Sequence, residues 1–129
     1  MPRKVGSFDT GYDSQGLAVG GDYLFVAAGQ DGLQVIQIRD PTHPERVGEL
    51  GADGPQDVAL VDGYAYLAAG RSGLRVLDVH DPANVRNVGG VETHGSVLGL
   101  VAAGNYAYLA AGTAGLEVVD IRNPPTRGT

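Results

Sequence analysis

The sequence predicts an all-β chain assembled from repeats of one four-stranded antiparallel unit. Three observations carry this. First, the segments YLFVAAGQDGLQVIQIRDP at 23–41, YAYLAAGRSGLRVLDVHDP at 64–82 and YAYLAAGTAGLEVVDIRNP at 106–124 share one order of parts: an aromatic strand, a paired-glycine turn, an apolar strand, and an acidic or amide residue before proline. Second, the anchors stay in phase, with Gly29, Gly70 and Gly112 spaced 41 and 42 residues apart, as are Pro41, Pro82 and Pro124. A period of that length belongs to arrays of small units. Third, the chain has 21 glycines and no tryptophan or cysteine, and its apolar runs are rich in Val, Leu, Ile, Tyr and Ala. That composition favours many short strands joined by tight turns.

The middle copy shows each element most clearly. Asp57 to Val61 is a short apolar run closed by Asp62-Gly63, a dipeptide suited to the positive φ angles of a two-residue hairpin turn. Gly21-Asp22 and Gly104-Asn105 supply the same chemistry in altered order. Tyr64 to Ala69 is the partner strand, Gly70-Arg71-Ser72-Gly73 the connection, and Leu74 to Val79 the third strand. Asp81-Pro82 stops it, because proline cannot donate to a ladder and restrains the residue before it. Arg86 to Val91 follows as a more polar fourth strand, matching Glu45 to Leu50 one period earlier. The third strand is apolar on both sides, whereas a sheet wetted on one face alternates. Burial on both faces is what a blade between neighbouring blades requires.

The expected architecture is therefore a β-propeller of four-stranded antiparallel blades, with three repeats over about 2–43, 44–84 and 85–126 and the roughly 40 to 45 residues per unit expected of a blade. Residues 3–8 read as a fourth strand, since Lys4, Val5, Ser7 and Phe8 match the pattern at 45–50, while nothing strand-like follows Ile121. This permutation is how propellers close, the first strand completing the last blade. Propellers have typically 4 to 8 blades, so three blades expose two end faces and one strand edge. Two copies supply six, and the expected assembly is a homodimeric six-bladed ring, in which residues 3–8 of each chain complete the last blade of the other. The alternative is a fragment of a longer propeller, or an engineered half-propeller, with no activity beyond self-assembly.

On the segments GLQVIQIRDP, GLRVLDVHDP and GLEVVDIRNP, each preceded by Y-x-[YF]-[LV]-A-A-G, the chain resembles the LVIVD-repeat family of β-propellers. The first copy departs by carrying Gln37 where the others have Asp78 and Asp120. WD40 repeats fit less well, with no Trp-Asp dipeptide present. The resemblance implies a propeller fold, often found in surface or secreted proteins, and no common enzymatic activity.

With 9 basic against 15 acidic residues, the formal charge is −6, which repels nucleic acid and anionic membranes. The absence of cysteine excludes disulfides, thiolate metal sites and a cysteine nucleophile. The basic start is not followed by the apolar run of a signal peptide, so the chain as written reads as cytoplasmic, or as secreted or surface-exposed if trimmed from a longer protein.

Sites are sought where the copies differ. The linkers from fourth strand to next first strand do not repeat, and in a propeller they gather at one mouth of the channel. Loops on a rigid scaffold commonly carry binding, so the candidate ligand residues are Asp9, Tyr12, Asp13, Asp53, Gln56, Asp57, Glu92, His94 and Ser96. The acidic residues and His94 could hold a hard cation. Their spacing matches no calcium loop, and the plainer reading is turn structure; no metal, cofactor or catalytic residue is assigned. Asp78 and Asp120 recur at equivalent positions and are read as acceptors for backbone N–H groups. Tyr64, Tyr66, Tyr106 and Tyr108 are read as blade packing. Ser96 lacks a nucleophile-elbow context. The functional expectation is a non-enzymatic scaffold or binding module for a protein or small ligand. The rival is a hydrolase or lactonase-like enzyme using a cation at the channel mouth.

Overall fold

The computed structural model describes residues 2–10, 14–29, 32–51, 54–93 and 95–123. Its strands are β1 (Gly16–Gly20), β2 (Tyr23–Ala27), β3 (Leu33–Gln37), β4 (Glu45–Leu50), β5 (Asp57–Val61), β6 (Tyr64–Ala68), β7 (Leu74–Asp78), β8 (Arg86–Val91), β9 (Gly99–Ala103), β10 (Tyr106–Ala110) and β11 (Leu116–Asp120). They form three antiparallel meanders in chain order, β1-β2-β3-β4, β5-β6-β7-β8 and β9-β10-β11. No helix among the described residues is long and apolar enough to cross a membrane.

The turns follow from their residues, with one difference from expectation. Asp62 and Gly63 both take positive φ, at 49° and 82°, as a type I′ hairpin turn requires. At the equivalent turns Gly21 and Gly104 have positive φ and no residue after them does, the pattern of a type II′ turn. Reversing the order of glycine and its polar neighbour changes the turn type. The paired-glycine connection is the same in all three copies. Gly70 and Gly73 have φ of 57° and 78°, and Ala69 N–H donates to Gly73 O while Gly73 N–H donates to Gly70 O.

The fourth strands carry a bulge. β3 pairs with β4 as Val35 opposite Gly48 and then Ile36 opposite Arg46, so Val47 is passed over. β7 and β8 repeat this one period later, with Val76 opposite Gly89 and Leu77 opposite Asn87. The extra residue bends the outer strand and raises its twist.

Each sheet has a leading face toward the preceding sheet and a trailing face toward the next. Phe25, Ala27, Leu33 and Val35 on the trailing face of the first sheet pack with Val58, Ala65, Leu67, Leu77 and Val79 on the leading face of the second. The second junction repeats the match, with Tyr66, Ala68, Leu74 and Val76 against Leu100, Ala107, Leu109 and Ile121. Buried apolar faces on both sides of the second sheet give the propeller-like arrangement.

Candidate functional site

Two regions differ from the repeating framework: the linker end and the two free faces. At the linker end the fourth-to-first connections lie against the paired-glycine turns. Gly70 and Val97 exchange two backbone hydrogen bonds of 2.9 Å, tying the turn of the second sheet to the linker before the third. Pro55 holds the equivalent place at the first junction and has no N–H to offer.

Of the candidate ligand residues, Tyr12, Asp13, Asp53 and His94 lie outside the described residues. Asp9 and Glu92 are exposed, while Gln56, Asp57 and Ser96 are half-buried. Gln56 N–H donates to Ala68 O at 2.7 Å. Asp57 is committed to structure: Oδ1 accepts Val58 N–H at 2.9 Å, and Oδ2 accepts Leu100 N–H at 3.1 Å across the junction. It starts one inner strand and holds the next. Among the described residues, no three His, Cys, Asp or Glu come together as a metal site.

Asp78 Oδ1 accepts His80 N–H at 3.0 Å and Asp120 Oδ1 accepts Arg122 N–H at 2.9 Å. Hydrogen bonds to the Arg122 side chain and backbone hold the Asp120 carboxyl below its ordinary pKa, and the same contact raises the Arg122 guanidinium. His80 stands at the repeat position of Arg39 and Arg122 and is exposed as they are. Its ring lies over Gly63, meets Tyr64 edge-on at 5.2 Å between centroids, and places Nδ1 2.7 Å from Asp78. Tyr66 is buried at the second junction, and desolvation raises its phenol pKa.

The second region is the two end faces, which follow from the repeat count; the trailing face of the third sheet is the more open. Leu116 and Val118 are 68% and 53% exposed, whereas Leu33, Val35 and Leu74 at the same repeat positions are fully buried. With Val101 and Tyr108 they form the uncovered trailing face of the third sheet. A hollow of about 510 Å³ opens there, lined by Asp57, Leu100, Val101, Tyr108, Ala110 and Leu116. At the other end, Leu17 is exposed although its counterparts Val58 and Leu100 are buried, and Val19 is exposed where Leu60 and Ala102 are half-buried; Val26 and Ile36 on the same face are buried. Aligning the copies position by position names all these residues.

The segment holding Lys4, Val5, Ser7 and Phe8 forms no strand with the described residues of its own chain. It runs along the outer part of the leading face of the first sheet. A Cβ on Gly6 would collide with the Pro41 carbonyl, and one on Gly48 would collide in the same way with the Pro82 carbonyl. Gly6 and Gly48 are 42 residues apart and Pro41 and Pro82 are 41 apart. The segment thus sits on the first sheet as β4 sits on the second. Thr10 O accepts Gln34 Nε2 at 2.7 Å beside it; Gln34 is fully buried and its Oε1 meets no donor among the described residues.

Comparison with known proteins bears on the fold. The family model described as LVIVD repeat matches residues 11–50, 54–93 and 94–126. No curated protein matches. Among solved structures, the computationally designed Ika8 protein is similar with a TM-score of 0.61 at 17% identity, over 81% of this chain and 32% of that one. The chain thus spans about a third of that structure's length. The computationally designed Ika4 protein is similar at a TM-score of 0.44 and 14% identity, over 94% of this chain and 99% of that one.

Proposed function

Because the chain belongs to the LVIVD-repeat family, we propose that it is a non-enzymatic β-propeller scaffold whose first partner is a second copy of itself, the two closing a six-bladed ring. One observation supports this above the others. Repeat positions that are buried at both internal junctions are exposed at the two ends, on faces of complementary kind: Leu17 leads, Leu116 and Val118 trail. A contact between unlike faces normally propagates, but three blades per copy let it close after two steps, which avoids fibres. Leaving the trailing face of the third sheet in water would expose a patch of the kind that marks association sites.

Light scattering and sedimentation over a dilution series test the assembly. A dimer that dissociates at low concentration is expected, and a monodisperse monomer at high concentration overturns the ring. The scaffold role is tested separately by a screen of ester and lactone substrates with and without chelator. No turnover is expected; turnover that the chelator abolishes would favour the hydrolase instead.

A further inference from the structure

We infer that residues 3–8 form the outer strand of the third sheet in a second copy, antiparallel to β11, with Arg3 opposite Asp120, Lys4 opposite Val119, Gly6 opposite Val118, Ser7 opposite Glu117 and Phe8 opposite Leu116. This inference rests on the self-assembly reading and supplies its register. Three independent observations lead to it.

The first is the vacant edge. β3 and β7 each pair with a fourth strand, while among the described residues β11 pairs only with β10. An unpaired edge presents a row of backbone donors and acceptors to another chain. The second is position. With Gly6 against Pro41 as Gly48 is against Pro82, residues 3–8 already occupy the outer-strand place of a blade preceding the first. A sheet sliding against Leu17 and Val19 would meet this segment with its open edge.

The third is a side-chain pattern of charge, bulge, glycine and apolar residue that this register continues. At the end of the ladder, Asp78 stands opposite Arg86 and Gln37 stands opposite Glu45. Where the outer strand is basic the third strand carries Asp, and where it is acidic the third strand carries Gln. Asp opposite Glu45 would set two like charges across a ladder, which is destabilising. Asp120, already bonded by Arg122, is compatible with a basic residue across the ladder as Asp78 is with Arg86, and applying the observed offset brings Arg3 opposite it. Val5 then falls at the bulge filled by Val47 and Val88, Gly6 falls where Gly48 and Gly89 stand, and Phe8 falls where Leu50 and Val91 stand. A slip of one residue would turn each side chain to the other face and break these matches together.

The absence of native cysteine makes a cross-link unambiguous. The full chain carrying Phe8→Cys and Leu116→Cys is expected to oxidise to a covalent dimer, and the one-residue shift Ser7→Cys with Leu116→Cys is not. A charge exchange gives a second measurement. Arg3→Glu is expected to raise the dimer Kd by roughly two- to thirtyfold from two like-charged pairs per dimer. Adding Asp120→Gln, which copies the Gln37–Glu45 pair, is expected to restore it. A dimer by mass in which both cysteine pairs behave alike and Arg3→Glu has no effect overturns the strand pairing and leaves the scaffold reading standing. A chain that stays monomeric by mass overturns both.

Discussion

At Leu116 the repeat places the same side chain as at Leu33 and Leu74, yet only Leu33 and Leu74 have a neighbouring sheet above them. The physical consequence differs accordingly. Leu74→Ala leaves a cavity in a filled junction and is expected to lower stability by about 2–5 kcal/mol in urea unfolding. Leu116→Ala is expected to leave the far-ultraviolet dichroism of the isolated chain intact, because Leu116 is exposed there, and to weaken the proposed dimer, which would bury it. Exposed carboxylates set the acid limit. Asp40, Asp81 and Asp120 all lie below the ordinary value of 3.8, held there first by side-chain hydrogen bonds from Thr42, Asn84 and Arg122. A folded-state pKa below the unfolded one contributes stability above the unfolded value and loses it as pH falls through the folded one. Thermal melts are therefore expected to be flat with respect to these groups from pH 7 to about 5, with a decline below about pH 4.

At the scale of the element, the turns were the most legible feature, since glycine pairs impose their own dihedral angles. Gly70 and Gly73 have similar angles but different surroundings. A Cβ at Gly70 meets nothing within 4 Å, whereas one at Gly73 meets the Val91 carbonyl and the Glu92 backbone. Gly70→Ala is expected to cost the left-handed strain alone, about 1–2 kcal/mol, and Gly73→Ala more, read as a lower denaturation midpoint. Strands β6 and β7 end one residue before the sequence reading placed them, at Ala68 and Asp78. The ladder stops where Ala69 turns to bond Gly73 and Val79 to bond Gly63. Asp57 shows what local pattern does not reveal. Its reach to Leu100 spans 43 residues, so a residue named as a possible ligand is a junction clamp. Asp57→Ala leaves a half-buried N–H without its acceptor and is expected to destabilise by about 1–3 kcal/mol, measured by urea titration.

At the scale of the whole molecule, the arrangement makes folding and assembly a single problem. The two internal junctions bury their faces within one chain, and in the proposed ring a junction of the same design joins two copies. Removing residues 1–9 is expected to give aggregates or exchanging oligomers in size-exclusion chromatography, since it takes away the segment proposed to complete β11 while leaving the exposed apolar face of the third sheet. A clean, stable dimer from that deletion would mean that the faces suffice alone.

Periodicity of about 41 residues, turn chemistry and two-sided apolar strands determined the repeat and the strand order, because each depends on residues near one another in sequence. Which apolar side chains are buried depended on neighbours a full repeat away, and identical residues such as Leu74 and Leu116 carry no local mark of the difference. The same holds for the place of residues 3–8 against Pro41 and for Asp57 at Leu100. Contacts between sheets are long-range, and only the packed tertiary structure decides which copy of a repeated side chain finds a partner.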